Sequence, residues 1–166
     1  MQWLLLSCAM ATVAAFGRYC QFCGSNNLPS LFSNPEPLAV LGVDARTFLV
    51  SPTYPPVMTA ELQDDSNLVI FDRDRTPVWS SNTDGSGGSR LIMQNDGNLV
   101  LYSQNGVAVW ETRTKGEGQG PYCLTLKDDG YLTIWDSDCY WTWRNGQKPT
   151  DRKTNAMLVN VSSTFQ

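Results

Sequence analysis

Short apolar runs of strand length recur along the middle of this chain, each opened by a polar turn. Leu68-Val69-Ile70-Phe71 follows Asp65-Ser66-Asn67, and Leu99-Val100-Leu101-Tyr102 follows Asp96-Gly97-Asn98. A third run, Leu132-Thr133-Ile134-Trp135, follows Asp129-Gly130-Tyr131. Aliphatic, β-branched and aromatic residues in such runs favour strands, and Asp-Ser and Asp-Gly favour the turns before them. The apolar stretch ahead of each turn, such as Arg90-Leu91-Ile92-Met93, supplies an opposing strand. Phe48-Leu49-Val50 and Val57 to Leu62 are further strand-like pieces that complete the first unit. Gly- and Ser-rich loops, Asp84 to Ser89 and Gly116 to Gly120, separate the units. No useful length shows the 3.6-residue period of an amphipathic helix, so the pattern predicts an all-β protein.

The units are copies of one another. Gln63-Asp64-Asp65-Ser66-Asn67-Leu68-Val69-Ile70-Phe71 recurs as Gln94-Asn95-Asp96-Gly97-Asn98-Leu99-Val100-Leu101-Tyr102. It recurs again, eroded, as Lys127-Asp128-Asp129-Gly130-Tyr131-Leu132-Thr133-Ile134-Trp135. The copies start 31 and then 33 residues apart, and each carries a tryptophan 16 places on: Trp79, Trp110 and Trp143. One copy cannot bury its own apolar face, but three can close around a shared axis. Strand alternation puts Leu99 and Leu101 inside, with the three tryptophans expected in related buried positions. Asn98, Val100 and Tyr102 then face outward.

Composition removes most other chemistry. The chain has 166 residues, enough for one domain with a real core. Net charge is −4, which gives no footprint for nucleic acid. The short basic stretch of Lys148, Arg152 and Lys153 reads as a solvated tail. There is no histidine, which excludes the usual Ser-His-Asp and Cys-His triads and the commonest zinc ligand. Asp72, Asp74, Asp136 and Asp138 are carboxylates of the type a glycosidase or a calcium site uses. They lie in or beside predicted turns, where Asp is expected, and no EF-hand spacing surrounds them. The expectation is a protein without enzymatic activity, metal or cofactor.

Residues 1–17 read as an export signal. Trp3 to Phe16 is apolar but too short to span a bilayer, so no membrane span is expected, and Ala15-Phe16-Gly17 offers a cleavage site. Cys8 leaves with that leader. Cys20, Cys23, Cys123 and Cys139 remain, an even number suited to a secreted protein. Three pairings are possible. Cys123–Cys139 is favoured because these two flank one predicted hairpin, which leaves Cys20–Cys23 as a local bridge rather than a redox motif or half a zinc site. Asn160-Val161-Ser162 is a glycosylation acceptor.

An outward face of acid, amide, small apolar side chain and phenol suits a sugar, whose hydroxyls both donate and accept. Gln94-x-Asp96-x-Asn98-x-Val100-x-Tyr102 resembles in full the signature of the bulb-type, monocot-like mannose-binding lectins. The resemblance spans roughly residues 38–147. It implies a β-prism of three four-stranded sheets, in which Asp and Asn hold the axial O2 of mannose, Gln reaches O3, Tyr reaches O4 and Val packs on the ring carbons. Carried over, the second repeat keeps Gln94, Asp96, Asn98, Val100 and Tyr102. The first keeps Gln63, Asp65, Asn67 and Val69 but has Phe71 for Tyr. The third keeps only Asp129, with Lys127, Tyr131, Thr133 and Trp135 at the other places. The domain plan is thus a leader at 1–17, a Cys-containing extension at 18–37, the lectin domain at 38–147 and a tail at 148–166. In that tail Ala156 to Val161 looks like an extra strand. Relatives exchange terminal strands, which implies a homo-oligomer binding mannose-type glycans. The rival reading is a structural, self-assembling prism protein that kept the motif only as a folding signature.

Overall fold

The computed structural model describes residues 18–24, 30–33, 40–42 and 49–145. The leader, Phe48, the Asn160 acceptor and the strand-like Ala156 to Val161 lie outside the described residues. Described strands, in chain order, are β1 (Leu31–Phe32), β2 (Val40–Gly42), β3 (Leu49–Val50), β4 (Met58–Leu62), β5 (Leu68–Asp72) and β6 (Pro77–Ser80). They continue with β7 (Gly88–Met93), β8 (Leu99–Ser103), β9 (Ala108–Glu111), β10 (Cys123–Leu126), β11 (Leu132–Trp135) and β12 (Trp141–Arg144). Three four-stranded antiparallel sheets result, ordered β3-β4-β5-β6, β2-β7-β8-β9 and β1-β10-β11-β12. This is the β-prism that the resemblance implies, with the three repeats closing around one core.

Each hairpin is built by its own turn. The Oδ1 atoms of Asp65, Asp96 and Asp129 accept the amides of Asn67, Asn98 and Tyr131 at 2.9, 3.1 and 3.1 Å. The next residue is left-handed each time: Ser66 (φ 80), Gly97 (φ 89) and Gly130 (φ 79). At Gly97 a side chain would also collide with the Tyr122 ring, 2.9 Å from its Cβ position. The first repeat instead holds a serine in a conformation that L-residues disfavour.

Leu68 and Ile70 of β5, Leu99 and Leu101 of β8, and Leu132 and Ile134 of β11 all point to the common core. Ala60, Leu62, Leu91, Met93, Leu124 and Leu126 join them from neighbouring strands. Each Leu, Ile or Met side chain among these stabilises the fold by about 1.5–3 kcal/mol on burial. The tryptophans are equivalent in register, opposite Ile70, Leu101 and Ile134, and each motif strand carries the same bulge one residue later. They are not equally buried, which corrects the expectation. Trp143 is 2% exposed, whereas Trp79 and Trp110 are half-buried. Their rings meet Trp143 edge-on, with centroids 6.0 and 6.1 Å away. One indole fills the central space between the other two.

The disulfide pairing also differs from the expectation. Cys20 bonds Cys139 and Cys23 bonds Cys123, with Cα separations of 4.9 and 6.0 Å. Within the hairpin the residue opposite Cys123 is Trp135, and Cys139 lies beyond it in the β11–β12 turn. Cys20 and Cys23 bracket a turn closed by the Cys23 amide on the Cys20 carbonyl at 2.9 Å. Each of them bonds a different part of the third sheet.

Candidate functional site

The second groove runs along β8. The Gln94 Nε2 atom donates to the Tyr102 hydroxyl at 2.8 Å, so both ends of the motif are tied across the groove. Asn98 lies between them, held by the domain itself. Its Oδ1 accepts from the Thr112 hydroxyl at 3.1 Å and the Thr114 amide at 3.2 Å. Its Nδ2 donates to Glu111 Oε2 at 2.8 Å, which leaves one N–H for a ligand. Asp96 uses Oδ1 on its own turn, and Oδ2 faces the Lys115 ammonium at 3.5 Å. Asn98 and Val100 are only 5% and 2% exposed, so this face is less solvated than strand alternation implies. Ile92 on β7 and Glu111 on β9 are the direct cross-strand partners of Val100 and flank it. What remains is a narrow apolar floor rimmed by donors and acceptors in fixed positions.

The first groove repeats this frame along β5. The Asn67 Oδ1 accepts from the Ser81 hydroxyl at 3.1 Å and the Thr83 amide at 3.2 Å. Val69 is buried, and Gln63 and Asp65 stand at the turn end. The far end is different. Phe71 has no hydroxyl to meet Gln63, and the Arg75 guanidinium lies 4.1 Å above its ring.

The third face is filled. Trp135 is buried, donating its indole N–H to Thr125 Oγ1 at 2.9 Å. Phe22 of the N-terminal segment lies on it, ring centroids 4.7 Å apart. Cys20, Cys123 and Trp135 form a small second core with Tyr19, Phe22, Phe32 and Trp141 packed around it. The Lys127 ammonium sits over Phe22 and Trp135 at 4.9 and 5.0 Å. Burial pushes its pKa down, the Arg144 guanidinium adds to this, and Asp129 opposes it.

Some residues the motif did not include are essential to this geometry. Ser81 and Thr83, like Thr112 and Thr114, brace the motif asparagine and accept from or donate to its strand. In the third repeat Asn145 does both jobs, accepting from the Leu132 amide and donating to the Gly130 carbonyl, each at 2.8 Å. The recurring hydroxyl residues two and four places after Trp79 and Trp110 are the sequence signal for them. The Asp72 and Asp136 carboxylates each bond two turn amides: Asp74 and Thr76 in one case, Asp138 and Tyr140 in the other. They are turn residues, and no group of three metal-ligating side chains forms among the described residues.

A prism of three four-stranded antiparallel sheets is the fold of a class of lectins, and solved structures agree. A lectin from Marasmius oreades is 29% identical, with 76% of this chain and 92% of that one covered and a TM-score of 0.59. A monomeric monocot mannose-binding lectin from Gastrodia elata is 32% identical, covering 72% and 98%, with a TM-score of 0.57. The mannose-specific agglutinin of snowdrop, Galanthus nivalis, solved with methyl-α-D-mannoside, is 31% identical, covering 72% and 97%, with a TM-score of 0.54. No protein-family model matches the chain, and no curated protein sequence matches it. The chain belongs to the bulb-type, monocot mannose-binding lectin family. Proteins of this kind bind carbohydrate and do not transform it.

Proposed function

We propose that this protein is a secreted lectin that takes mannose or mannose-containing glycans through its motif grooves, with the second groove as the principal site. The Gln94–Tyr102 bond carries the reading, because it fixes the two motif ends relative to each other around Asp96 and Asn98. Asp96 Oδ2 and the remaining Asn98 N–H offer an acceptor and a donor to one hydroxyl. Gln94 and Tyr102 reach the next ones, and Val100 meets the C–H face. The relatives from Gastrodia elata and snowdrop are named as mannose binders. Secretion is supported by the apolar leader and by four cysteines joined in two disulfides.

A few hydrogen bonds to a shallow site, most of them neutral at about 0.5–1.5 kcal/mol net, give monosaccharide binding of about 1 mM. Useful avidity then needs several grooves presented together, through the first repeat and through self-association. Retention on mannose-agarose, with elution by free mannose, tests the ligand. Asp96→Ala that folds normally yet binds methyl mannoside as well as the parent would refute it. Light scattering tests the self-association, and a monomer at working concentration would count against it.

The second reading is a structural prism protein. The filled third face favours it, since one of the three motif faces has become packing surface. Failure of the mannose column at any protein concentration is the outcome that reading expects.

A further inference from the structure

The turn after each motif strand holds a left-handed residue at the same place: Arg75 (φ 65), Gly106 (φ 77) and Cys139 (φ 63). That residue decides what covers the fifth motif side chain. In the third repeat Cys139 bonds Cys20, and the tethered segment lays Phe22 on Trp135. In the second, Gly106 has no side chain to place over Tyr102. In the first, the Arg75 side chain turns back over Phe71. Its Nη1 and Nη2 also donate to Glu61 Oε1 and Oε2, the latter at 3.1 Å. Glu61 stands on β4 directly opposite Val69, at the edge of the groove floor. The residue at that place in the second repeat is Ile92, opposite Val100.

We propose that Arg75 and Glu61 replace the missing tyrosine hydroxyl in the first groove, so that this groove binds a mannoside through a polar set of its own. The proposal rests on the lectin reading above and adds residues to it. A tyrosine hydroxyl donates and accepts through one atom. Arginine only donates and an ionised glutamate only accepts, so the pair offers both functions side by side, matching two adjacent sugar hydroxyls. The bonds to Glu61 use two of the five guanidinium N–H groups, and the carboxylate keeps free lone pairs. Stacking on Phe71 and the forked pair hold the guanidinium in place, which reduces the ordering cost when a ligand arrives. Both side chains are reachable, at 57% and 29% exposure.

The test is a titration of the full-length chain with methyl mannoside, read by NMR at the Val69 and Val100 methyls. Val69 reports the first groove and Val100 the second. Arg75→Ala should raise the Kd seen at Val69 about fivefold to tenfold, the loss of one or two hydrogen bonds, and leave that at Val100 unchanged. Alanine keeps the same left-handed strain as arginine, so the turn is not altered. Adding Phe71→Tyr to that variant should recover most of the affinity, because a hydroxyl returns to the vacated place. An unchanged Val69 affinity in Arg75→Ala overturns the proposal. A loss that the added hydroxyl does not recover also overturns it, since packing alone would explain it. A parent protein in which Val100 responds and Val69 does not overturns the proposal but leaves the lectin reading intact. If neither methyl responds, the lectin reading fails and the proposal with it.

Discussion

At the residue scale, the motif side chains serve the fold and the site at once. Asp65, Asp96 and Asp129 each close a turn, which explains why Asp129 persists where the rest of its motif has gone. Asn98 is committed still more deeply, since its carbonyl braces Thr112 and Thr114. We expect Asn98→Ala to destabilise the protein by about 1–3 kcal/mol in urea denaturation, because it strands buried donors. Loss of binding in that variant is therefore no clean measure of ligand contact. Tyr102→Phe removes the ligand-facing hydroxyl together with its bond to Gln94: it should weaken mannoside binding at the second groove about fivefold or more by calorimetry, and lower stability by no more than about 0.5–1.5 kcal/mol. Ser66, left-handed where the other copies have glycine, marks a local conflict. Ser66→Gly should stabilise by about 0.5–1 kcal/mol, the relief of left-handed strain less the added entropy of an unfolded glycine. A drop in the denaturation midpoint would contradict that.

At the element scale, one hairpin design has been given three outcomes by what packs on its outer face. The second has Gly106, with no side chain to lay over its Tyr102, the first has Arg75 from its own turn over the Phe71 end, and the third is covered by a segment from far upstream. That segment is held by two disulfides with sequence separations of 119 and 100 residues. Bridges that close long loops restrict the unfolded chain most, so losing either should cost about 2–4 kcal/mol. The double variant Cys23→Ser, Cys123→Ser should unfold at lower urea, and its emission should shift red as water reaches Trp135. Mannoside binding at the second groove should persist, because none of Gln94, Asp96, Asn98, Val100 and Tyr102 belongs to the segment's apolar cluster. Loss of second-groove binding on this change would show that the cover also shapes that groove.

At the scale of the whole molecule, the three sheets share one core, but the chain does not build them in series. Each three-strand repeat takes its fourth strand from upstream: β3 serves the first repeat, β2 the second and β1 the third. The N-terminal part thus clasps the last repeat, and the sheets close as a unit. Trp143 is the centre of that closure, with Trp79 and Trp110 against its faces. Trp143→Ala should lower stability by about 3–5 kcal/mol. The half-buried Trp79 and Trp110 should each lose less on the same change, measured by thermal or urea unfolding. Equal losses at all three positions would mean that the centre is symmetric after all.

Periodicity along the chain was enough for the strands of the repeats, their turns, the threefold repeat and the inward leucines, and the resemblance supplied the identity of the complete motif; the short fourth strands β1 and β2 carry no such pattern. The features that periodicity shows are local or repeated, written in alternation and in turn residues, and a single chain carries them without reference to its partners. The motif's unequal decay was legible for the same reason: Phe71 and Trp135 stand at aligned places. The cysteine pairing was not, because it depends on which distant segment lies over Trp135, and sequence neighbours such as Cys123 and Cys139 mislead when another residue occupies the facing position. Nor could alternation foresee that Val100 is buried although it faces outward, or that only one tryptophan reaches the axis. Those outcomes are set by how much space neighbouring strands leave, and Arg75 over Phe71 belongs with them. Pattern along a strand decides which way a side chain points; what it meets there is decided by packing between parts of the chain that the sequence keeps far apart.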